Sequence, residues 1–446
     1  MKIMLLSHTG EVTGGAEQCL LEYVDVLIQK GYKCKIIVPY KGAMTEVLTN
    51  KKINWSVMGF GWATKPSRKV NTYKITSSTG NSMAHIFQEV ENYKPDLIIT
   101  NTTVIPWGLY AGRAFAVPTM LLAHEVLSDK DPSLSVVPSY EKYLDVLNDN
   151  TDYIIYNSRF VEREFSHALT RPKASETILY PLPPLDKESI NAHYKTNSLE
   201  SAIKIAVIGA LSNRKNQMEV LEAATILKKD GFDNFVINLY GSKADIVYTK
   251  KIRAFIKDNN LSKNVKINGF TSSIYDEINK HNVVLSSSKN EPFGRTIIEG
   301  QLFGRVVITN DTGGGVELVQ DKVNGLIYTL GKPEHLAKKI QWIVNNRKKA
   351  LDIANFAKVA QFKTYINDSR YDALINIIES LSDGKKAFGN EDIYNPQLTL
   401  FKYNQQLMHR YRYLFRLTHN KVTRDIKHRV QQGRAVARTI ILKVKP

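Results

Sequence analysis

The sequence predicts an α/β protein made of two doubly wound domains that face each other across a cleft. Short apolar runs alternate with amphipathic stretches along most of the chain, which is typical of repeated βαβ units. The same alternation restarts after a proline-containing break near the middle. The 446 residues are 43% hydrophobic and 23% charged. That length and balance suit two globular domains of about 180 residues plus an additional segment.

In the first half, five apolar runs are short enough to be buried parallel strands. They are Lys2–Ser7, Cys34–Pro39, Asp96–Thr100, Thr119–Ala123 and Tyr153–Tyr156. Helical segments lie between them, such as Ala16–Lys30 and Asn81–Lys94. The first domain is therefore expected to cover residues 1–184.

A break follows at Tyr180–Glu200, where three prolines (Pro181, Pro183 and Pro184) precede a polar stretch without periodicity, so we interpret it as a linker. Six further strands are predicted after it. They are Ile203–Ile208, Phe235–Tyr240, Val265–Ile267, Val283–Ser286, Val306–Thr309 and Leu326–Tyr328. The second domain is expected at 185–365, a helix at 366–384 that returns to the first domain, and a tail at 385–446.

The net charge of +18 is concentrated at the C-terminus, because residues 401–446 hold twelve Lys and Arg against one acid, Asp425. This tail has an apolar stripe at helical spacing, including Tyr403, Leu407 and Tyr411, beside several arginines. It fits an interfacial helix on an anionic membrane. The alternative is a helix that packs on the protein itself or on a partner; nucleic acid is not expected as a partner.

Other features of the sequence argue for a cytoplasmic protein without a metal. No apolar run reaches the length of a membrane span, and the apolar run at the start, Met1–Ser7, is too short for the apolar region of a signal peptide. With only Cys19 and Cys34, no structural disulfide is expected. Asp129 and Asp131 flank Lys130 next to a proline, which indicates a surface turn rather than a metal site.

The segment from Glu291 to Glu299 is the strongest functional signal. It follows a predicted strand and opens a predicted helix, with seven residues between the two glutamates. Pro292 suits a first helical turn, and Gly294 allows a ligand to approach the backbone. Glu299 can accept hydrogen bonds from vicinal hydroxyls such as those of a ribose. The alternative is that Glu291 is an ordinary helix-start acid and Glu299 a solvent-exposed one.

This segment resembles the Glu-x7-Glu motif of the family-four retaining glycosyltransferases, and the resemblance extends over roughly residues 1–380. The family implies the GT-B fold, with two Rossmann-like domains, and a nucleotide diphosphate sugar as donor. It implies that Glu299 binds the donor ribose and Glu291 the sugar hydroxyls. Phe293, Gly294, Arg295 and Thr296 then lie at the donor.

A second segment, Gly209 to Gln217, follows the first strand of the second half. The family has Gly-Arg-Leu at its start and a lysine further on. Here Lys215 matches the lysine, Gly209 the donor-binding glycine, and Ala210 stands where the arginine is expected. A departing diphosphate gains negative charge, which cations stabilise, so Arg214 and Lys215 are the candidates for this role. The alternative is a solvent-exposed pair of basic residues.

Two further glycine-rich turns match the family. The glycines Gly313, Gly314 and Gly315 follow a strand and offer backbone amides to a phosphate. They lack the Gly-x-Gly-x-x-Gly spacing of dinucleotide-binding proteins, which disfavours a nicotinamide enzyme. Gly14 and Gly15 precede the first helix and are expected opposite the donor phosphates, on the acceptor side. A tight turn without a ligand is the alternative for both.

His124 and Glu125 end a predicted strand and match a His-Glu or His-Asp pair of the family. A histidine at the carboxyl end of a strand faces the cleft, where it can meet a sugar hydroxyl near the reacting centre. A packed or surface histidine is the alternative.

The predicted function is thus transfer of a sugar, with retention, from a nucleotide diphosphate sugar to a carbohydrate or lipid-linked acceptor, in polysaccharide or glycolipid synthesis. The family favours a same-face path in which the departing diphosphate helps to deprotonate the acceptor. The alternatives are a phosphorylase or epimerase of the same fold, and a non-catalytic partner subunit, which Ala210 motivates.

Overall fold

The computed structural model describes residues 1–64, 72–126, 140–167, 175–181, 185, 187–199, 202–365 and 371–383. The predicted Asp129–Asp131 turn and the basic tail lie outside these residues.

Within these ranges the first sheet has seven parallel strands in the order β3-β2-β1-β4-β5-β6-β7. The strands are β1 (Lys2–Leu6), β2 (Lys33–Val38), β3 (Asn54–Val57), β4 (Leu97–Asn101), β5 (Thr119–Ala123), β6 (Tyr153–Tyr156) and β7 (Ser175–Ile178). The helices of this half are α1 (Gly15–Gln29), α2 (Ala43–Asn50), α3 (Thr72–Tyr93), α4 (Trp107–Phe115), α5 (Tyr140–Asp149), α6 (Arg159–Ser166) and α7 (Lys187–His193).

The second sheet has six parallel strands in the order β10-β9-β8-β11-β12-β13, again counted over the described ranges. They are β8 (Ile203–Ile208), β9 (Phe235–Tyr240), β10 (Val265–Gly269), β11 (Val283–Ser286), β12 (Val306–Asn310) and β13 (Leu326–Tyr328). The helices are α8 (Gln217–Lys229), α9 (Ile246–Asp258), α10 (Ile274–Asn279), α11 (Arg295–Leu302), α12 (Gly315–Leu318), α13 (Pro333–Asn345), α14 (Arg347–Tyr365) and α15 (Asp372–Asp383).

Every apolar run assigned to a strand from the sequence is a strand, including the edge strands β10 and β13 of the second sheet. Strands β4, β5, β11 and β12 are buried at every residue. A parallel strand covered on both faces is apolar throughout, which makes it recognisable in sequence. The two strands that sequence reasoning missed, β3 and β7, are edge strands of the first sheet.

The predicted linker contains helix α7 (Lys187–His193), which the sequence analysis did not predict. Helix α7 is held by two apolar side chains, Leu185 and Ile190, which are buried against the core that also contains Phe293 and Ile297. Such a short helix is stabilised by its tertiary contacts and carries little signal of its own.

Helix α15 lies against the first sheet although it follows the second in sequence. Leu374, Ile375 and Ile378 are buried in the core around β1. The hydroxyl of Tyr32 donates a hydrogen bond of 2.9 Å to Glu379. The chain therefore crosses from one half to the other more than once.

Candidate active site

The candidate residues lie at the switch points of the two sheets. The strand order reverses between β1 and β4 in the first sheet and between β8 and β11 in the second. Open α/β sheets bind ligands at such points, beyond the carboxyl ends of the strands. Gly209 and Lys215 follow β8, and Glu291 follows β11.

Lys215 and Glu291 form the central ion pair of the second switch point. Lys215 Nζ lies 2.6 Å from Glu291 Oε2, and the two side chains are 19% and 16% exposed. The backbone is fixed as well, since the Ser287 hydroxyl donates to the Lys215 carbonyl at 2.8 Å. The Lys289 amide donates to the Arg214 carbonyl, also at 2.8 Å. Lys215 is therefore not the solvent-exposed residue of the alternative interpretation.

The charges around this pair favour an ionised Glu291. Burial alone raises its pKa, but Lys215, Arg214 and a hydrogen bond from Ser288 outweigh burial and lower the pKa to about 2. Burial lowers the pKa of Lys215, an effect that Glu291 opposes and Arg214 reinforces. The site thus combines one ionised carboxylate with two cations and carries net positive charge, as a diphosphate ligand requires.

The loop after Glu291 differs from the prediction for Pro292. Helix α11 begins at Arg295, so Pro292 lies before the helix rather than in its first turn. Gly294 is the N-cap with φ 104°, a conformation that side chains avoid. The Phe293 ring is buried and stacks on Tyr180 with centroids 5.3 Å apart. Only the backbone of Phe293 is therefore available to a ligand.

Glu299 is buried, which contradicts the solvent-exposed interpretation. It is 6% exposed and lies on α11. Burial raises the pKa of its carboxyl, and the charge of Arg295 partly opposes this. A buried carboxylate is costly unless its oxygens accept hydrogen bonds. Thr296, which is half-buried, lies in the first turn of the same helix.

Arg295 contacts the first domain. Its guanidinium lies 2.9 Å from Glu22 and donates at 3.3 Å to the carbonyl of Gly15, both on α1. This contact ties the candidate donor motif to the glycine loop of Gly14 and Gly15. Donor binding by Arg295 remains a prediction.

The second glycine turn packs against the loop of Glu291. The amide of Gly314 donates to the Glu291 carbonyl at 2.7 Å, so this amide is not free for a phosphate as predicted. A Cβ at Gly313 would lie 2.6 Å from the Glu291 backbone, and one at Gly314 would lie 2.3 Å from the Pro292 carbonyl. These glycines allow two backbone segments to approach.

Gly209 has a similar packing role beside Lys215. Its φ is 153°, and a Cβ there would lie 3.2 Å from the Lys215 side chain. A Cβ at Gly241 would lie only 2.1 Å from the carbonyl oxygen of Gly209, so the two backbone segments are in close contact. The carbonyl of Ala210, at the position of the missing arginine, accepts a 3.1 Å hydrogen bond from Gln217.

In the first domain, His124 is held at the carboxyl end of β5. Its Nε2 lies 2.9 Å from the Asn101 side-chain oxygen, and its carbonyl accepts from Asn157 at 3.1 Å. Burial, and next the charge of His8, lowers the pKa of His124 to about 3. His124 is therefore neutral at physiological pH and can share a proton with a hydroxyl.

Glu125 points to the neighbouring strand. Its carboxylate accepts from the amide and the hydroxyl of Thr103 at 3.2 and 3.1 Å. Burial raises its pKa. Thr102 lies between Asn101, the partner of His124, and Thr103, the partner of Glu125. Its φ of 91° is unusual for a β-branched residue. A strained residue here indicates a turn whose shape is imposed by the surrounding structure.

Two further contacts join the domains. The Glu317 carboxylate accepts from the amides of Arg159 and Phe160, at 3.0 and 2.7 Å, at the start of α6. The Ser158 hydroxyl, which also caps α6, donates to the Pro292 carbonyl at 2.5 Å. The loop of the candidate donor motif is thus fixed from both domains.

Residues 189–360 match the family model of glycosyl transferases group 1. This range contains all donor-side candidates from Gly209 to Glu299, whereas Gly14, Gly15 and His124 lie outside it.

The chain is 26% identical over 189 residues to poly(ribitol-phosphate) alpha-N-acetylglucosaminyltransferase of Staphylococcus aureus (strain COL). That similarity covers 42% of this chain and 36% of the relative, so the chain spans about a third of that curated protein.

Among solved structures, HepE of Anabaena in complex with UDP-glucose is 22% identical with a TM-score of 0.70, covering 85% of this chain and 100% of that one. TarM of S. aureus, in a complex that includes UDP, is 13% identical with a TM-score of 0.68, covering 84% of this chain and 99% of that one. The predicted fold class is confirmed: the protein has the GT-B fold of two Rossmann-like domains.

Sequence reasoning missed the first-domain residues around this GT-B cleft. His8 follows β1 as His124 follows β5, and that parallel position is the signal that could have found it. Its Nε2 lies 3.2 Å from Glu17 Oε1 on the first turn of α1. Glu22, the partner of Arg295, has no motif that marks it.

Within the described residues, no helix is long and apolar enough to cross a membrane. In the same ranges no group of three or more His, Cys, Asp or Glu side chains is arranged as a metal site. The predicted absence of a metal stays a prediction.

Proposed function

We propose that this protein is a retaining glycosyltransferase that moves a sugar from a nucleotide diphosphate sugar to an acceptor hydroxyl. The observation that carries the proposal is the Lys215–Glu291 pair at the switch point of the second sheet, followed by the buried Glu299 just over one turn into α11. These residues lie in the range that matches the family model, and solved structures of the same fold contain UDP or UDP-glucose.

The proposed roles follow from charge. Lys215 and Arg214 stabilise the departing diphosphate, Glu291 orients the donor sugar while keeping Lys215 charged, and Glu299 binds the ribose. The acceptor oxygen bonds to the anomeric carbon as the bond from that carbon to the diphosphate breaks. The acceptor proton passes to the departing diphosphate on the same face, which preserves the anomeric configuration. His124 contacts a hydroxyl at the reacting centre.

The biological setting is a proposal of its own. The curated relative is named for transfer to poly(ribitol-phosphate), which supports a role in cell-surface polymer or glycolipid synthesis. We propose a cytoplasmic protein that reaches an anionic membrane through its basic tail. Co-sedimentation with anionic liposomes tests this, using the full chain and a chain lacking residues 391–446; equal pelleting of both would rule out the tail's role.

A thermal-shift screen with UDP, GDP and ADP, followed by their sugar conjugates, tests donor binding. A ligand at 100 times its Kd stabilises by about 2.7 kcal/mol, which is easily measured. Acceptor-dependent release of the nucleoside diphosphate then tests transfer, and the anomeric configuration of the product by NMR tests retention. Donor binding with no release under any acceptor would favour the non-catalytic subunit that Ala210 motivates.

A further inference from the structure

Two exposed aromatic rings flank the loop that follows β1. The Trp62 indole donates to the His8 carbonyl at 2.8 Å, and the Tyr40 hydroxyl lies 2.7 Å from the hydroxyl of Thr9. The polar ends of both rings are therefore fixed by adjacent residues of one loop. Both side chains remain exposed, Trp62 to 37% and Tyr40 to 47%. Exposed aromatic surface beside a loop at the switch point of the sheet is available to a ligand.

The segment that carries Trp62 is held in place by the core. The buried Trp107 indole donates to the Gly61 carbonyl at 2.8 Å. The Ala63 amide donates to the Val104 carbonyl, also at 2.8 Å. Residues on both sides of Trp62 are thus fixed before any ligand arrives, which lowers the entropic cost of binding.

A buried polar pair lies beneath Trp62. The His8 ring packs against the Trp62 ring with centroids 5.6 Å apart, and His8 bonds Glu17. Burial raises the pKa of Glu17, but the hydrogen bond and charge of His8 outweigh it and lower the pKa. Because Nε2 of His8 is bonded to Glu17, Nδ1 is the ring nitrogen that remains for a ligand. Among the described residues Nδ1 has no hydrogen-bond partner.

This cluster lies beside the candidate donor motif. Glu17 is in the first turn of α1, and Gly15 in that turn accepts the hydrogen bond from Arg295 of the donor motif. The charges of His8, Glu17 and Arg295 all act on His124. The loop that anchors both rings therefore lies on the same side of the first domain as Arg295 and His124.

We propose that Trp62 and Tyr40, with His8 beneath them, form the binding site for a pyranose ring of the acceptor. This rests on the proposed transferase function and deepens it, because it names the acceptor class. The apolar C–H face of a pyranose packs on an aromatic ring, while its hydroxyls need hydrogen-bonding groups close by. An open-chain polyol has no such flat face and would gain little from Trp62.

Saturation-transfer NMR on the full chain tests this binding without requiring turnover. The probes are the methyl glycosides of glucose, galactose and N-acetylglucosamine, with sorbitol as the open-chain comparison. We expect saturation of at least one pyranoside and not of sorbitol. Trp62→Ala should weaken that binding at least tenfold, while Trp62→Phe keeps most of it. Trp55→Phe is the matched control, because Trp55 belongs to the same domain but packs against the core that contains Ile3 and Leu5.

Three results would overturn the proposal: no pyranoside binds, sorbitol binds as well as the pyranosides, or Trp62→Ala binds like the wild type. If Trp62→Ala does not fold, Tyr40→Ala replaces it, because Tyr40 is more exposed. Titration with UDP on the same samples reports on the donor site separately. UDP binding without pyranoside binding overturns the aromatic site alone, and pyranoside binding lost in Trp62→Ala supports the site even if transfer fails.

Discussion

Replacing Lys215 with methionine should affect stability and turnover in different ways. The pKa of Glu291 is lowered from 4.5 to about 2, which corresponds to about 3 kcal/mol of stabilisation of the ionised carboxylate. Arg214 and Ser288 supply part of this, so we expect Lys215→Met to cost on the order of 1–3 kcal/mol at pH 7. Because the folded pKa is the lower one, this stability is present above pH 4.5 and is lost as the pH falls toward 2.

A double variant separates the structural effect from the catalytic one. Lys215→Met with Glu291→Gln removes both charges, so the stability should return toward that of the wild type. Turnover of both variants should be about 100 times lower than that of the wild type, or less, because each lacks a cation that stabilises the departing diphosphate. Urea unfolding and release of nucleoside diphosphate measure the two quantities on the same samples.

The matched control is Lys339→Met. Lys339 forms a 2.9 Å ion pair with Asp321 in the same domain, with side chains 21% and 38% exposed. Because the Asp321 carboxylate is open to solvent, this pair contributes about 1 kcal/mol or less, and it lies outside the proposed site. Near-normal turnover of Lys215→Met, or equal loss of turnover in Lys339→Met, would refute the assigned role.

Three further variants test other parts of the site. Glu299→Gln should weaken UDP binding about tenfold or more in calorimetry, since a charged hydrogen bond to the ribose is lost; an unchanged Kd would remove Glu299 from the donor site. In the wild type, the pKa of His124 is about 3 in the folded chain, so the unfolded chain takes up the proton first and the free energy of unfolding falls as the pH drops from 6.5 to 5. His124→Gln should remove up to about 2 kcal/mol of this decrease. Equal pH slopes for the two proteins would contradict this. Gly314→Ala should destabilise the protein by roughly 1–3 kcal/mol in thermal unfolding, because its Cβ would meet the Pro292 carbonyl. Gly59→Ala is the control and should be nearly neutral, because a Cβ there would have nothing within 4 Å. Equal effects of the two substitutions would show that the loop at Gly314 can shift.

The interior strands and the donor-side loops could be predicted because their signals are local. A strand buried on both faces is a continuous apolar run, as in β4 and β12. Glu291, Gly294 and Glu299 lie within one short segment, so their spacing shows directly in the sequence.

Contacts between distant segments could not be predicted in this way. The bonds from Arg295 to Glu22 and from Ser158 to Pro292 join residues 273 and 134 positions apart. The first-domain partners, Glu22 and Ser158, lie in none of the motifs that the sequence shows. The same holds for Trp62, whose place beside His8 depends on how a loop packs across the sheet.

The crystal structure of the full chain with bound UDP-glucose tests the central claim most directly. We predict that the nucleotide lies at the carboxyl ends of β8 and β11, with its ribose hydroxyls on Glu299 and its diphosphate beside Arg214 and Lys215. A nucleotide bound at the first sheet, or one whose diphosphate makes no contact with Lys215, would contradict the account.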